Sequence, residues 1–377
     1  MNSRERVLTA LKHQEPDRVP IDLGGTSTGI EVEAYDRLKK VLGFQSETKT
    51  FVRDHVEIDG PILERFGVDT RYIRLKPPQG YQLMIDPDNS YVDIWGTRWK
   101  KPPTSLYWDM VDYPIKEPTL EALNRYSWPD PDDPGRTEGL REKAKDLYER
   151  TDYAIVVDNP GFGVFEQGWA LRGMENFLMD LVLHEKFAEA LIERMADYKI
   201  ALWGHILDAV GEYVQVMMEA DDIGTQQGPM VSPETYRKLI KPAQKRVWKS
   251  IKNKTKAFLF LHCCGSVRKF LPDFIDMGLD ILNPVQVAAK DMDPKELKSE
   301  FGKDLTFWGG GCDTQNVLAF GNPDDVEKEV KQRIAELAPG GGFVFNQIHN
   351  IQPQVPAENI LRMLEAAQKY GAYPIKG

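Results

Sequence analysis

The sequence predicts a single (β/α)8 TIM barrel with a hairpin-containing insertion after the second strand. Three observations carry this reading. Eight short apolar runs recur along the 377 residues, helical stretches separate most of them, and most of the runs are apolar on both faces. That last property marks parallel strands covered by helices on both sides or closed on themselves. A doubly wound open sheet also alternates strand and helix, but it would use fewer strands or a second domain.

In chain order the apolar runs are residues 19–22, 70–73, 154–157, 214–217, 258–261, 280–283, 305–308 and 343–345. Residues 175–210 carry apolar positions at helical spacing. Residues 233–252 form a helix opened by Ser232 as N-cap, with Pro233 at the first helical position. Residues 323–337 and 356–370 are two further helices. Residues 81–136 break the alternation. Two hairpin-like stretches, 81–85 and 91–95, flank Asp86-Pro87-Asp88-Asn89, and a Pro- and Trp-rich stretch follows with Trp99, Trp108 and Trp128. An insertion at this point lies over the catalytic face of a barrel, as a lid or docking rim, or else covers the barrel wall. The expected domain is the whole chain, 1–377.

Charge narrows the function classes. Lys and Arg total 48 against 58 Asp and Glu, a formal charge of −10. Nucleic acid and anionic membrane both call for a basic surface, so neither is an expected partner. Residues 1–6 look like the start of an amphipathic helix without an apolar signal core. No stretch reaches the roughly 18 apolar residues of a membrane span. Three cysteines, two of them adjacent, make no disulfide framework. The expected location is the reducing cytoplasm.

In a barrel, chemistry gathers at the C-terminal ends of the strands. Reading just past each run collects Asp22, Asp158 and Asn159, Glu219 and Asp221, His262-Cys263-Cys264, Asn283 and Gln286, Cys312, and His349. All three cysteines and two of the six histidines fall on this rim. Side chains alternate along an extended chain, so His262 and Cys264 point one way and Cys263 the other. An imidazole and a thiolate aimed at one point are half of a zinc site. The third ligand must come from another strand, and His349, Cys312 and Glu219 are the candidates. Gly309-Gly310-Gly311 matches no phosphate-binding pattern and suits a tight turn or close ligand approach.

Taken in order, Arg4-Glu5-Arg6-Val7, Pro16-Asp17-Arg18-Val19-Pro20, Asp221-Asp222-Ile223-Gly224, Leu261-His262-Cys263-Cys264-Gly265, Asn283-Pro284-Val285-Gln286, Trp308-Gly309-Gly310 and His349-Asn350-Ile351-Gln352-Pro353 resemble the uroporphyrinogen decarboxylase superfamily over nearly the whole chain. The resemblance implies a single-domain (β/α)8 barrel and one of two chemistries. Decarboxylases of the superfamily hold a tetrapyrrole without metal, using an arginine-rich loop. This chain has Asp22-Leu23-Gly24-Gly25-Thr26 there, and its negative charge suits an eight-carboxylate substrate badly. The other branch comprises zinc-dependent methyltransferases that exchange methyl groups with a corrinoid protein. Their H-x-C motif matches His262 and Cys264; where they carry a distant cysteine, this chain has His349.

The resemblance therefore implies zinc held by His262, Cys264 and His349, and a corrinoid (cobalamin) carried by a separate partner protein. It also implies a small-molecule methyl donor or acceptor, and a homodimer. One thiolate with two imidazoles leaves about one net positive charge on Zn²⁺, a stronger Lewis acid than a two-thiolate site. That favours a methoxylated substrate. In this expectation Glu219 and Asp221 are catalytic, as fourth ligand or proton handler, and Asp22, Asp158, Asn159, Asn283 and Gln286 orient the substrate. The alternative is a metal-free decarboxylase of a tetrapyrrole or other carboxylate. A non-catalytic ligand-binding subunit and a zinc hydrolase are more distant, and the H-x-H of barrel hydrolases is missing after the first run.

Overall fold

The computed structural model describes residues 1–375. Its strands are β1 (Lys49–Val52), β2 (His55–Glu57), β3 (Thr70–Ile73), β4 (Ser90–Val92), β5 (Arg98–Lys100), β6 (Asp109–Asp112), β7 (Ala154–Val157), β8 (Val216–Ala220), β9 (Phe258–His262), β10 (Ile281–Asn283), β11 (Thr306–Trp308) and β12 (Phe343–Val344). Seven of them form one curled parallel sheet in the order β12-β11-β10-β9-β8-β7-β3. Two antiparallel sheets lie earlier in the chain: the β1–β2 hairpin and the three-stranded β4-β5-β6.

The architecture is thus α/β with a seven-stranded TIM-like parallel sheet, where eight regular strands are expected from the sequence. The first apolar run makes only a single parallel bridge, Ile21 to Phe345. Asp22 N–H donates to Phe345 O at 2.9 Å, and Asp69 N–H donates to Ile21 O at 2.8 Å, so this segment touches both edge strands. It does not propagate as a strand because Pro20 has no N–H and the N–H of Ile21 goes to the Asp69 carboxylate at 2.8 Å.

Alternation along the strands sorts the core into two layers. Tyr72, Val156, Val216, Met218, Phe260, Ile281, Trp308 and Val344 fill the inside of the curled sheet together with Val7 and Leu11. Those last two come from the helix Ser3–Leu11, which is opened by a capping box between Asn2 and Glu5. Met217, Leu259, Leu261, Leu282, Phe307 and Phe343 face outward to the helices.

The helix expected at 233–252 is present, but its ladder widens at Tyr236–Ile240, where Lys241 N–H reaches back to Tyr236 O. Pro242 follows. It lacks an N–H and crowds the preceding turn, which accounts for the widening.

The insertion contains a hairpin with a different pairing from the expected one. Residues 81–85 form no strand. Instead β4 pairs with β5, Ser90 opposite Lys100 and Val92 opposite Arg98. The turn between them is stabilised by Asp93 Oδ1, which accepts the N–H groups of Trp95 (2.8 Å) and Thr97 (3.0 Å), and by Gly96 at φ +77°. Its tryptophans are anchors: Trp99 packs against Phe162, and Trp95 against Tyr198 and Trp128. No helix among the described residues is long and apolar enough to cross a membrane.

Candidate metal centre

β9 delivers two candidate ligands. Phe260 lies inside the sheet and Leu261 outside, so His262 faces inward at the strand's C-terminal end. Its Nε2 lies 3.2 Å from Cys264 Sγ, while Cys263 is buried in the outer layer. His349 arrives from the loop after β12, its ring centroid 5.1 Å from that of His262. One ligand atom from each of His262, Cys264 and His349 lies within 4.8 Å of the others. Cys312 is elsewhere, buried with its Sγ 3.4 Å from Glu329 Oε2.

The residues behind this trio set its chemistry. His262 Nδ1 is 2.6 Å from Asn283 Oδ1, and Asn283 Nδ2 donates to Trp308 O at 2.7 Å. The amide is therefore oriented with its oxygen toward the ring, so Nδ1 carries the proton and Nε2 presents a lone pair toward Cys264. Cys264 N–H donates to Asp222 Oδ1 at 2.7 Å, and Gly265 N–H to Gln286 Oε1 at 2.6 Å. Gly265 sits at φ +86°, and a Cβ there would meet Gly224 backbone at 2.7 Å. Asn283 and Gln286, expected on the substrate, are thus engaged in holding His262 and the Cys264 loop.

His349 adopts φ +62°, a conformation costing a non-glycine residue about 1–2 kcal/mol. The loop is clamped by Asn350, whose Oδ1 accepts Gly29 N–H (2.7 Å) and whose Nδ2 donates to Thr26 O (2.8 Å). Asn350 N–H donates to His349 Nδ1 at 2.7 Å, which leaves the ring proton on Nε2. Ligation through either nitrogen displaces that proton or that hydrogen bond. Burial pushes His349 down to about 3, with His262 and His55 adding, so the ring is neutral, the form a metal binds. Burial, then Asp222, pushes the Cys264 thiol well up; a divalent cation beside it reverses that preference. Two imidazoles and a thiol in reach of one point, one ring pre-oriented, fit zinc.

The other expected site residues lie apart from this trio. Glu219 is corrected: β8 runs on to Ala220, past the expected end at 217, so Glu219 lies within the strand, where Met218 points in and Glu219 points out. There it pairs with Lys199 Nζ at 3.0 Å and accepts Trp203 Nε1–H, both from the helix Glu185–Val210. Asp221 is corrected too. It also faces outward and caps the helix Val164–Arg172, accepting the N–H groups of Phe165 (3.1 Å) and Glu166 (2.8 Å) and the amide of Gln244 (2.7 Å). A Cβ on Gly163 would come within 2.2 Å of Asp221 Cγ, so this approach requires glycine. Burial lifts Asp221 to about 6.

Asp22 is buried and accepts from Tyr72 OH (3.0 Å), Trp308 Nε1 (2.9 Å) and Thr70 Oγ1, so both of its oxygens are engaged within the core. Asp158 is paired with Arg74 Nε at 3.0 Å and accepts Thr26 N–H at 3.1 Å, pinning the 24–26 loop. Asn159 is half-buried beside it.

Sequence reading gave no role to Asp222 or Asn346 and did not single out Glu166. Asp222 follows Asp221, and alternation alone sends it inward to Cys264. Glu166 has no motif to betray it; burial, then Asp222 and Asp221, raise its carboxyl well above the usual range. A surface groove lined by Leu8, Asp208, Glu212, Lys254 and Phe258 among others opens where the strands begin, at the opposite end from this trio.

Comparison with known proteins agrees with this fold. A methyltransferase structure from Methanosarcina mazei superposes with a TM-score of 0.66 at 18% identity, covering 98% of this chain and 99% of that one. A methylated-thiol–coenzyme M methyltransferase of Methanosarcina mazei is 22% identical over 270 residues, 70% of this chain and 67% of that protein. A uroporphyrinogen decarboxylase of Geotalea daltonii is 22% identical over 166 residues, 43% of this chain and 45% of that protein. The family model for uroporphyrinogen decarboxylase (URO-D) matches residues 165–370, more than half of the chain and the part that carries His262, Cys264 and His349. The chain belongs to the uroporphyrinogen decarboxylase (URO-D) family.

Proposed function

We propose that this chain is a zinc-dependent methyltransferase that moves a methyl group between a small methylated molecule and a corrinoid protein. The observation that carries the reading is the convergence of His262, Cys264 and His349 within 4.8 Å, with the His262 tautomer preset by Asn283. The relative named for methylated thiols and coenzyme M supports the reaction class. Zinc held by these three residues would supply Lewis acidity to the heteroatom that carries the methyl group. A cobalamin carried by the partner would supply the methyl-exchanging centre.

The chain's own part is to hold and to orient. Asn283 fixes His262, Asp222 and Gln286 fix the Cys264 loop, and Asn350 clamps the His349 turn. The single thiolate of this donor set favours oxygen, as in a methoxyl group, over the sulfur of the relative's substrates. In this reading residues 20–22 complete a closed (β/α)8 barrel, so substrate and partner approach from the C-terminal rim. A porphyrinogen decarboxylase is the weaker reading. The 22–26 loop has no arginine, and Arg74, which reaches that loop, is spent on Asp158.

Metal analysis tests the proposal. About one zinc per chain is expected in the parent, lost in His262→Ala and in Cys264→Ala. Stoichiometric zinc that survives both substitutions overturns it. Methyl transfer from 2-methoxyphenol to reduced cobalamin, compared with its methylthio analogue, tests the oxygen preference.

A further inference from the structure

Asn346 is fully buried, and neither its Oδ1 nor its Nδ2 meets a partner among the described residues. A buried amide left unmet costs about 1–3 kcal/mol, and most such groups are satisfied by something. Its position says what that something touches. Val344 faces the inside of the sheet, so Asn346, two residues on, faces the same way. A Cβ built on Gly309 would lie 3.0 Å from Asn283 Nδ2 and 3.2 Å from Asn346 Oδ1, so both amides border one point. Asn283 is the residue that holds His262. Gly309, at φ +96°, keeps this point clear of any side chain.

We infer that Asn346 is a specificity-determining residue: it recognises a neutral group that both donates and accepts, a hydroxyl or carboxamide, on the small molecule whose methylated heteroatom meets the metal. This rests on the reading under Proposed function. An amide offers donors and an acceptor together, so a ligand group that only accepts leaves Oδ1 unmet. A carboxylate is of that kind. An ether without a hydroxyl likewise fails to meet Oδ1. The arrangement therefore selects a hydroxylated or amidated substrate against both its anionic and its fully capped analogues.

The test is calorimetric binding of three probes, 2-methoxyphenol, 1,2-dimethoxybenzene and 2-methoxybenzoate, to the zinc-loaded protein and to Asn346→Leu. The parent should bind the phenol at least about tenfold more tightly than either analogue. Asn346→Leu should erase that preference, keep its zinc, and melt no lower than the parent, because an unmet amide is exchanged for an apolar side chain. Equal binding of the three probes by the parent, binding of none, or the same preference in Asn346→Leu overturns the inference. The two readings fail separately. If the parent holds no zinc yet prefers the phenol and the variant does not, Asn346 stands and the metal reading falls. If zinc is held by His262 and Cys264 while the preference is missing, the metal reading stands and Asn346 falls.

Discussion

The ends of β8 and β9 are hydrogen-bonded neighbours on one sheet, and both carry potential ligands or proton handlers, yet they serve different ends. At β9, His262 faces inward and meets Cys264 and His349. At β8, Glu219 and Asp221 face outward and are consumed, one by Lys199, the other by a helix N-terminus. The inward residues of that turn are Ala220 and Asp222, and only Asp222 reaches the metal centre, through the backbone of Cys264. Lying on the catalytic rim is therefore not enough to make a group available. What decides is the side of the strand, and whether nearby buried donors have already claimed the lone pairs.

The largest effect should come from the β9 side. Cys264→Ala should abolish zinc binding and methyl transfer while leaving a folded protein, since the side chain is only half-buried. Far-ultraviolet circular dichroism with metal analysis checks this. A folded Cys264→Ala protein with full zinc would break the contrast between the two strand ends.

The β8 side should answer in stability instead. Glu219→Ala leaves the Lys199 ammonium buried without a counter-ion, a loss of about 3–5 kcal/mol. The melting temperature should drop sharply while zinc content per folded chain holds. A variant that melts normally but loses zinc would return Glu219 to the metal centre.

Asp221 sharpens the contrast through pH. Burial raises its folded value to about 6 from 3.8. A raised folded value means the folded state holds the proton more tightly. That stabilisation is present in full below 3.8 and is lost as pH rises through 6. About two units at about 1.4 kcal/mol each give about 3 kcal/mol. The stability of the parent relative to Asp221→Asn should therefore fall between pH 4 and 6 and level off on either side. Urea unfolding across that range measures it, and a flat difference would mean that the hydrogen bonds from Phe165, Glu166 and Gln244 offset the burial.

Much of this was legible in the residues. Thr70–Ile73 and Ala154–Val157 form strands with the bounds read from the sequence, because apolar runs buried on both faces have one simple use. The His262–Cys264 pair follows from alternation alone. Glu219 was not legible, because β8 runs on to Ala220 and so holds Glu219 inside the strand, on its outward face. Asp22 was not legible either. Its engagement depends on Tyr72 and Trp308, which reach it only once the sheet curls. The β4–β5 pairing was hidden by Asp86-Pro87-Asp88-Asn89, a stronger turn signal than the Asp93–Gly96 turn that joins the strands.

The smallest effect belongs to Asn283, where the comparison becomes a matter of degree. Asn283 touches the metal centre only through His262 Nδ1. Asn283→Ala leaves all three ligands in place, frees the His262 ring to turn or change tautomer, and strips Trp308 O of its donor. Loss of such an orienting partner typically costs about 10–100-fold in metal affinity. Competition with a zinc chelator should show a weakening of that size with zinc still bound at saturation. Asn283→Asp should recover most of the affinity, since a carboxylate oxygen accepts the same Nδ1–H. Alanine and aspartate variants that both bind zinc as tightly as the parent would mean that the strand end alone positions His262. The preset tautomer would then contribute nothing.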